Sequence, residues 1–413
     1  MLGGEGAGRI RVSAMQVVYA RQPFPRSFRR AIFLAGPTPR SPEVRSWRPD
    51  ALTELAARGF DGVVFVPEDS DGSRRFDYVD QVEWEEEGLR LADAIVFWIP
   101  RDLATLPGFT TNVEWGVWHD SGKAVLGAPP GAPKNEYLRH YASKARAPVA
   151  DSLGGTIDAA LAMIGEGALR EGGEREVPLF VWREAGFQAW YAAQRGAGHR
   201  LDGARLHWHF RSGPGRHLFC WALQVKVFVP EEGRHKSGEV LISRSDIAAV
   251  MAYHDGPRGR EVVLVREFRS NAATADGYVH ELPGGSSFVP GKDGRALAAM
   301  ELAEETGVSI AAERFVAGGE RQCMATLLTH RAELYSVALG AEEIAVFKAR
   351  AGQRFGENES ERTYVEVRTV AEILAARDVD WTHVGMILSV PGGGGGRARG
   401  RLTGDGDGAM PQR

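Results

Sequence analysis

Short apolar runs alternate with segments of helical periodicity in the first part of the chain. The runs have the length and the β-branched or aromatic content of strands that are buried on both faces. This alternation predicts an α/β domain with a doubly wound parallel sheet, whose ligand would lie beyond the carboxyl ends of the strands. The predicted strands are Ala31–Ala35, Gly62–Pro67, Ala94–Pro100 and Ala124–Ala128.

The pattern changes in the second part of the chain. A helical segment, Thr156–Ile164, closes the first part, and the polar run from Glu166 to Glu176 reads as a linker. Strand-like stretches joined by short turns follow, as the mixed α+β sandwich of the family that this part resembles below would require. These stretches are Leu206–Phe210, Phe219–Val229, Ile247–Tyr253 and Glu261–Val265.

The predicted domains are therefore residues 15–165 and 179–390, joined by a linker at 166–178. Residues 1–14, which precede Met15, read as a leader outside the fold. The glycine-rich tail, 391–413, is expected to be disordered because glycine-rich polar sequence cannot build a packed core.

Length and composition narrow the classes of function. A chain of 413 residues is too long for one ordinary core, and 43% hydrophobic with 25% charged residues is typical of a soluble globular protein. The net charge of −4 gives no electrostatic case for binding nucleic acid or a membrane. Two cysteines, Cys220 and Cys323, indicate a reducing, cytoplasmic environment. We therefore expect a small-molecule ligand.

Three carboxylates, Glu301, Glu304 and Glu305, are spaced i, i+3 and i+4 on a predicted helix, downstream of a Pro-Gly-Gly turn that includes Gly284. This spacing favours one helix face. Such a cluster repels itself unless a cation sits in it, and Mg²⁺, or Mn²⁺ in its place, binds carboxylate oxygens and bridges phosphates. The alternative is an exposed, solvated helix face.

The segment from Gly285 to Val308 resembles the Nudix box. Glu301, Leu302, Glu304, Glu305 and the Gly307-Val308 pair fit the end of that motif, whereas Lys292 and Met300 stand at or near the positions of its first glutamate and its arginine. The resemblance implies Mg²⁺-dependent hydrolysis of a pyrophosphate bond, with Glu305 among the metal-binding and catalytic carboxylates. It also raises Asp293 as an acid around which the altered loop could rebuild the site.

The stretch Val263–Arg269, followed by Glu281–Gly284, is similar to the ADP-ribose pyrophosphatase branch of that family. This resemblance implies that Gly284 offers a carbonyl oxygen to the metal and that Arg266 and Arg269 hold phosphate or ribose oxygens. It also implies that Glu359, or Glu357 nearby, activates the attacking water. The alternatives are a solvated strand face for the arginines and an ordinary charged loop for the glutamates.

Four features of the first part resemble the nucleoside 2-deoxyribosyltransferase family. They are Ile32–Pro37, Ser46–Arg48, Val82–Glu85 with Ala92-Asp93, and Thr110–Gly116. The resemblance implies a nucleoside pocket lined by Gly36 and Pro37, with Glu114 as the nucleophile, Asp93 contacting or protonating the base, and Asn112 orienting the sugar or Glu114. A carboxylate that complements the helix dipole is the alternative for Glu114, and a plain turn residue is the alternative for Asp93.

The sequence thus predicts a two-domain enzyme that acts on nucleotides or nucleosides. Its second domain would hydrolyse an ADP-ribose-like nucleoside diphosphate derivative, and its first would act on an N-glycosidic bond. A homodimer formed through the Nudix domain is a further expectation. Two rival hypotheses remain: a nucleotide sensor with an inactive Nudix site, and a protein in which only the first domain is active.

Overall fold

The chain forms two compact units. The first contains the described residues up to His209 together with Trp221–Leu241, and the second contains Phe210–Cys220 and the described residues from Ile242 onward. The computed structural model describes residues 15–41, 43–70, 78–212, 217–286, 293–356 and 362–392. Residues 1–14, most of the predicted tail, Lys292, Glu357 and Glu359 lie outside the described residues.

The first unit is built around a six-stranded parallel sheet. Its strands are β1 Gln16–Tyr19, β3 Ala31–Ala35, β4 Val63–Val66, β5 Ala94–Trp98, β6 Ala124–Gly127 and β7 Val149–Ala150. Two short strands, β2 Ser27–Phe28 and β8 Arg170–Glu171, form a separate pair. The order across the sheet is β1-β4-β3-β5-β6-β7, and neighbouring strands are parallel. The order reverses beside β3, because the chain continues to β4 on one side and to β5 on the other. A crevice at such a switch point is where ligands bind in open α/β sheets.

Helices cover both faces of this sheet. They are α1 Arg48–Ala57, α2 Tyr78–Leu91, α3 Phe109–Trp118, α4 Glu136–Ala145, α5 Leu153–Ile164, α6 Leu179–Trp182 and α7 Ala185–Gly196. Residues from α2, α3 and α4 pack on one face with Phe33, while residues from α1 and α5 pack on the other with Ile32 and Leu34. Successive residues of β3 therefore face different cores and are all buried, which explains the uninterrupted apolar run.

The predicted doubly wound parallel sheet is confirmed for the first unit. The strand Ala31–Ala35 has the predicted bounds, and the other three predicted strands differ from β4, β5 and β6 only by one or two residues at their ends. The predicted closing helix corresponds to α5, which begins three residues earlier because the Ser152 hydroxyl caps it by accepting a hydrogen bond from the Gly155 amide.

The predicted linker at 166–178 is instead folded into the first unit. Arg170 in β8 is fully buried, and a side chain added at Gly173 would lie 2.2 Å from the backbone of Asp202. Leu179, expected to begin the second domain, packs in the core formed with α1 and α5. The predicted boundary is corrected accordingly, because these residues make contacts that a solvated linker does not make.

A three-stranded sheet comes next along the chain. Its strands are β9 Arg200–Ser212, β10 His217–Val229 and β11 Arg234–Arg244, in the order β11-β10-β9. The predicted strands Leu206–Phe210 and Phe219–Val229 fall within β9 and β10. The division between the two units passes through all three strands.

The second unit is built around an eight-stranded mixed sheet. Its strands are β12 Ile247–Gly256, β13 Gly259–Phe268, β14 Tyr278–Glu281, β15 Gly284–Ser286, β16 Val316–Gln322, β17 Arg331–Ala338, β18 Arg354–Phe355 and β19 Thr363–Thr369. The main path is β16-β17-β12-β13-β19-β18, with β14 paired to β13 and β15 paired to β12. The β12–β17 pair is parallel and the other pairs are antiparallel.

Helices cover two faces of this sheet as well. They are α8 Gly294–Thr306, α9 Ala341–Ala349, α10 Val370–Ala376 and α11 Trp381–Ser389. Residues of α8 and α9 pack with Val263 and Val365, while residues of α10 and α11 pack with Val262 and Leu264. The layers agree with a mixed sheet between helices, but they do not identify a Nudix domain.

Within the described ranges, no helix has both the length and the apolar character needed to cross a membrane.

Candidate functional site

The loop that follows β3 has no room for a side chain at Gly36. A Cβ atom at this position would lie 2.2 Å from the Trp98 carbonyl oxygen and 2.8 Å from the Trp47 ring. The Trp47 indole N–H donates to the Pro37 carbonyl oxygen at 3.1 Å. Gly36 and Pro37, which were predicted to line a pocket, therefore form a tightly held turn at the carboxyl end of a central strand.

Arg48, the first residue of α1, anchors the same loop from beneath. Its guanidinium donates to the carbonyl oxygens of Leu34 at 3.0 Å and Gly36 at 2.8 Å, and to the Thr38 hydroxyl at 3.2 Å. Only 2% of this side chain is exposed. Arg48 thus fixes the end of β3 and the start of the loop as one body.

Among the residues that the structure describes, one carboxylate pairs directly with the buried charge of Arg48. Nη1 of Arg48 lies 2.6 Å from Oε1 of Glu68, which follows β4. The Ser46 hydroxyl lies 2.9 and 3.0 Å from the two carboxylate oxygens of Glu68 and donates to that carboxylate. The ion pair joins the carboxyl ends of β3 and β4, the edge at which a ligand is expected.

Two glutamates from different helices interact beside this loop. Glu114 lies on α3 and Glu85 lies on α2. Burial, together with the negative charge of Glu85, raises the pKa of Glu114 to about 7, and the positive charge of Arg48 opposes that rise. Burial also raises the pKa of Glu85, against the hydrogen bond from the Gln81 amide at 2.6 Å and the charge of Arg48. The negative charge of Glu85 thus favours the protonated form of Glu114, so that the two helices present one acid beside another.

The alternative that Glu114 only complements the dipole of its helix is wrong. The helix begins at Phe109, so Glu114 lies beyond its first turn, and no acidic residue occupies that turn. The helix dipole acts mainly on the first turn. Burial decides the proton affinity of Glu114, which holds its proton to a higher pH than an ordinary glutamate does.

Asn112 is hydrogen-bonded to Arg101, which also holds the loop that leads into α3. Its side-chain oxygen accepts a hydrogen bond from Arg101 at 2.7 Å, and the same guanidinium donates to the Pro107 carbonyl oxygen at 2.6 Å and to Asn135 at 3.1 Å. Arg101 is 6% exposed. Asn112 thus acts through Arg101 to fix the start of the helix that carries Glu114, while a role in orienting the sugar stays a prediction.

Asp93 lies at the opposite edge of the sheet. It immediately precedes β5, and its carboxylate oxygens lie 2.6 and 2.7 Å from Nη2 of Arg170. It also accepts a hydrogen bond from the Ala31 amide at 2.9 Å, and both partners of the ion pair are 1% exposed. The prediction that Asp93 contacts the base is corrected, because an amino-end, fully paired carboxylate cannot reach a ligand at the carboxyl edge.

A second acidic cluster lies in the second unit, around the turn at Gly284. The Gly284 amide donates to the Glu305 carboxylate at 3.0 Å, and the Glu301 carboxylate fills the space where a Gly285 side chain would stand. Burial raises the pKa of Glu305 well above its ordinary value, and the charges of Glu301, Glu281 and Glu267 add to the rise.

The structure separates the other residues predicted for this site. Glu304 is exposed and lines an open depression with Met300 and Arg354. Asp293 caps α8, where its side chain accepts a hydrogen bond from the Arg295 amide at 3.1 Å. Within the described parts of the chain, no three histidine, cysteine, aspartate or glutamate side chains form a group that could hold a metal ion.

The two predicted phosphate-binding arginines are not equivalent. Arg269 lies 2.8 Å from both Glu267 and Glu281, so it joins the acidic cluster. Arg266 lies between the rings of Tyr278 and Tyr364, at 4.4 and 5.3 Å from their centroids. Because neighbouring residues of a strand point to opposite faces, Arg266 is directed away from Glu267. That Arg266 and Arg269 hold phosphate or ribose oxygens stays a prediction, and the two side chains have different surroundings from which to do so.

Comparison with known families supports the first unit. Residues 29–132, about a quarter of the chain, match the family model described as nucleoside 2-deoxyribosyltransferase like. Residues 29–132 of the first unit are thus similar to that family. No curated protein matches the chain. The matched segment contains Gly36, Arg48, Glu85 and Glu114, whereas the second unit has no Nudix match and that assignment stays a prediction.

Sequence reasoning missed Glu85, Arg48, Glu68 and Arg101 as members of the site. Glu85 and Arg48 both fall within motifs quoted for the family resemblance, and Glu85 follows the aromatic Trp84 on a helix next to β5. That signal could have singled out Glu85. No sequence pattern predicts the contact between Arg48 and Glu68, which are 20 residues apart in the chain.

Proposed function

We propose that the first unit cleaves or transfers at the N-glycosidic bond of a nucleoside or nucleotide, using Glu114 and Glu85 as its two acids. The observation that carries the proposal is a pair of half-buried carboxyls on α2 and α3, whose pKa values are both raised by burial and both opposed by the charge of Arg48, the residue that holds the Gly36–Thr38 loop. The family match over 29–132 supports the same chemistry.

The reaction needs one ionised and one protonated carboxyl. In the protonation state with Glu114 ionised and Glu85 protonated, Glu114 would attack the anomeric carbon while the bond from that carbon to the base breaks and Glu85 gives its proton to the departing base. Because the pKa of Glu114 is the one raised to about 7, this is the less populated of the two single-proton states. Water, or a second base, would then displace Glu114 from the sugar and return a proton to Glu85. A pair of coupled acids holds one proton over a range of pH, which suits this division of roles.

The test is a substrate panel with product identification by mass. The intact protein is incubated with purine and pyrimidine nucleosides, 2′-deoxynucleosides and their 5′-phosphates, with and without a second free base. We expect free base and sugar from a hydrolase, or an exchanged nucleoside from a transferase. Glu114→Gln should reduce turnover by roughly a thousandfold or more, because it removes the nucleophile.

The matched control is Glu86→Gln, a neighbour of Glu85 that is exposed on α2. This variant should keep wild-type turnover. Equal losses in Glu114→Gln and Glu86→Gln, or turnover that survives Glu114→Gln, would contradict the proposal.

A second candidate function concerns the second unit. We propose Mg²⁺-dependent hydrolysis of a pyrophosphate bond in an ADP-ribose-like compound, because Glu301 and Glu305 converge on Gly284–Gly285 and their charges repel. Carboxylate oxygens are the donors that Mg²⁺ prefers, so this donor set fits the ion by its chemistry, although the described residues lack a third converging ligand. When bound, Mg²⁺ would neutralise charge that develops on phosphate oxygens. Glu301 and Glu305 would hold the ion, with Glu359 or a glutamate of the cluster as the base.

This candidate is tested with ADP-ribose and related dinucleotides in the presence and absence of Mg²⁺, again with products identified by mass. We expect cleavage between the two phosphates only with Mg²⁺, and loss of cleavage in Glu305→Gln. Nucleotide binding without Mg²⁺-dependent cleavage would favour the sensor hypothesis instead.

A further inference from the structure

Arg101 is a buried cation at the carboxyl edge of the parallel sheet. It follows the end of β5, and only 6% of the residue is exposed. Its guanidinium donates to the side-chain oxygens of Asn112 at 2.7 Å and Asn135 at 3.1 Å, and to the Pro107 carbonyl oxygen at 2.6 Å. These three acceptors are neutral. Burial lowers the pKa of Arg101, and within the described chain no carboxylate charge opposes that change.

The loop that follows Arg101 contacts the loop after β3. A Cβ atom at Gly108 would lie 3.4 Å from Cβ of Pro37, and the Arg40 amide donates to the Thr105 carbonyl oxygen at 3.1 Å. The order of the strands reverses beside β3, and ligands bind at such a switch point. Arg101 therefore lies at the edge of the sheet where a substrate is expected.

The N-terminus of α3 lies at the same place. Gly108 is the N-cap of α3, with a left-handed φ of 64°, and no side chain caps the helix there. The Pro107 carbonyl oxygen, to which Arg101 donates, immediately precedes this cap. The partial positive charge of the helix N-terminus therefore adds to the charge of Arg101. Two positive groups in a buried setting favour an anion beside them.

Thr111, in the first turn of α3, gives an independent sign of a ligand. It is 1% exposed, and its hydroxyl is buried without a hydrogen-bond partner among the described residues. A Cβ atom at Gly108 would lie 3.5 Å from this hydroxyl oxygen, so the hydroxyl borders the cap of the helix. Buried hydroxyls in proteins are ordinarily hydrogen-bonded. Thr111 thus offers a donor to a ligand at the start of α3.

We propose that Arg101, Thr111 and the first amides of α3 form a subsite for the phosphate group of a nucleotide, so that the first unit prefers nucleoside monophosphates to nucleosides. Each Nη atom of Arg101 carries a second N–H group that can donate to phosphate oxygens, as can the Thr111 hydroxyl and the helix amides. The inference rests on the proposed function for the preference among substrates. The binding of phosphate itself follows from the surroundings of Arg101.

The experiment measures the binding of ribose 5-phosphate and of ribose to the full chain by titration calorimetry. These two probes differ only in the phosphate and require neither a base nor turnover. We expect the wild type to bind ribose 5-phosphate more tightly than ribose. Arg101→Met should weaken the binding of ribose 5-phosphate by roughly tenfold or more, because charge-assisted hydrogen bonds are lost, and should leave the affinity for ribose unchanged. Thr111→Val, which removes only the hydroxyl, should have a smaller effect in the same direction.

The matched control is Arg139→Met. The Arg139 guanidinium lies at the same edge of the sheet, where it donates to the Ala128 carbonyl oxygen at 3.3 Å, but its charge is already paired with Asp151 at 2.8 Å. This variant should bind ribose 5-phosphate as the wild type does. Equal affinities of the wild type for the two probes, or an unchanged affinity of Arg101→Met for ribose 5-phosphate, would overturn the proposal. If Arg101→Met does not fold, Thr111→Val decides, because it must weaken the binding of ribose 5-phosphate alone.

Kinetics separate this inference from the proposed function. If the first unit releases base, kcat/KM should be higher for nucleoside 5′-monophosphates than for nucleosides, and the ratio should fall in Arg101→Met but not in Arg139→Met. A purely structural role for Arg101 would lower kcat/KM for both classes and leave their ratio unchanged. Selective binding of ribose 5-phosphate without base release from any substrate would contradict the proposed function alone. Equal kcat/KM for the two classes would contradict the phosphate subsite alone.

Discussion

The two units hold half-buried acidic side chains in different electrostatic settings. In the first unit, the Glu85–Glu114 pair lies within the influence of the buried cation Arg48. In the second unit, Glu305 is surrounded by three further carboxylates, and Arg269 is already paired with two of them, Glu267 and Glu281. A buried acid needs a compensating charge or a proton.

The difference separates two kinds of chemistry. A site whose cation belongs to the chain can hold one proton between two acids and perform proton transfer without a metal ion. A cluster of acids with too little positive charge is suited to a cation that arrives with the substrate. We therefore expect the activity of the first unit to be independent of Mg²⁺ and any activity of the second to require it.

The largest expected effect on stability concerns a residue that lies in neither site. Asp93→Asn should destabilise the first unit by about 3 kcal/mol or more, because it leaves Arg170 buried without a counter-charge. Chemical denaturation measures the loss, and turnover per folded molecule should remain that of the wild type. An Asp93→Asn variant that is stable but inactive would show that Asp93 takes part in catalysis. It would then contradict the assignment of the site of the first unit to Glu85 and Glu114.

A smaller effect is expected in the second unit. Without divalent cations at alkaline pH, where Glu305 must ionise, Glu305→Gln should raise the melting temperature by on the order of a few degrees, because it removes an acid whose ionised form is disfavoured by burial and by the neighbouring carboxylates. Mg²⁺ should raise the melting temperature of the wild type and leave that of Glu305→Gln unchanged. Calorimetry measures both shifts.

The control for that prediction is Glu342→Gln, an exposed change on α9. It should leave both the melting temperature and the response to Mg²⁺ as in the wild type. Destabilisation by Glu305→Gln without any effect of Mg²⁺ would show that Glu305 serves the fold by holding Gly284, and the contrast between the units would disappear.

The smallest effect is the dependence of stability on pH. The pKa of Glu114 is raised from 4.5 to about 7 in the folded protein, so the stability contributed by its protonated form is complete below about 4.5 and is lost as pH rises through 7. Glu114→Gln should remove this loss. Denaturation at a series of pH values measures the slope, and an unchanged slope in Glu114→Gln would contradict the burial of this carboxyl.

Local pattern was enough to predict the central sheet of the first unit. Ala31–Ala35 is buried on both faces, and such runs are legible because every residue of the strand must be apolar. Gly36 and the nucleophile candidate Glu114 were singled out because each belongs to a short motif of the family resemblance, and their roles stay predictions. Residues that act through local geometry are visible in a sequence.

Long-range partners were not visible. In the sequence, Arg170 lies in a polar, glycine-rich run that is typical of an exposed linker. Its burial becomes visible only through its ion pair with Asp93, which is 77 residues away in the chain. The error at Asp93 could have been avoided: a residue just before a parallel strand lies at the amino edge of the sheet, whereas ligands bind at the carboxyl edge.

The central claim is that the first unit acts on a glycosidic bond through its own acids, independently of the cluster in the second unit. The most direct measurement is free-base release by the intact protein in excess EDTA, compared among wild type, Glu114→Gln and Glu305→Gln. The account predicts base release without metal by the wild type and Glu305→Gln, and none by Glu114→Gln. Base release that requires Mg²⁺, survives Glu114→Gln and is lost in Glu305→Gln would contradict it.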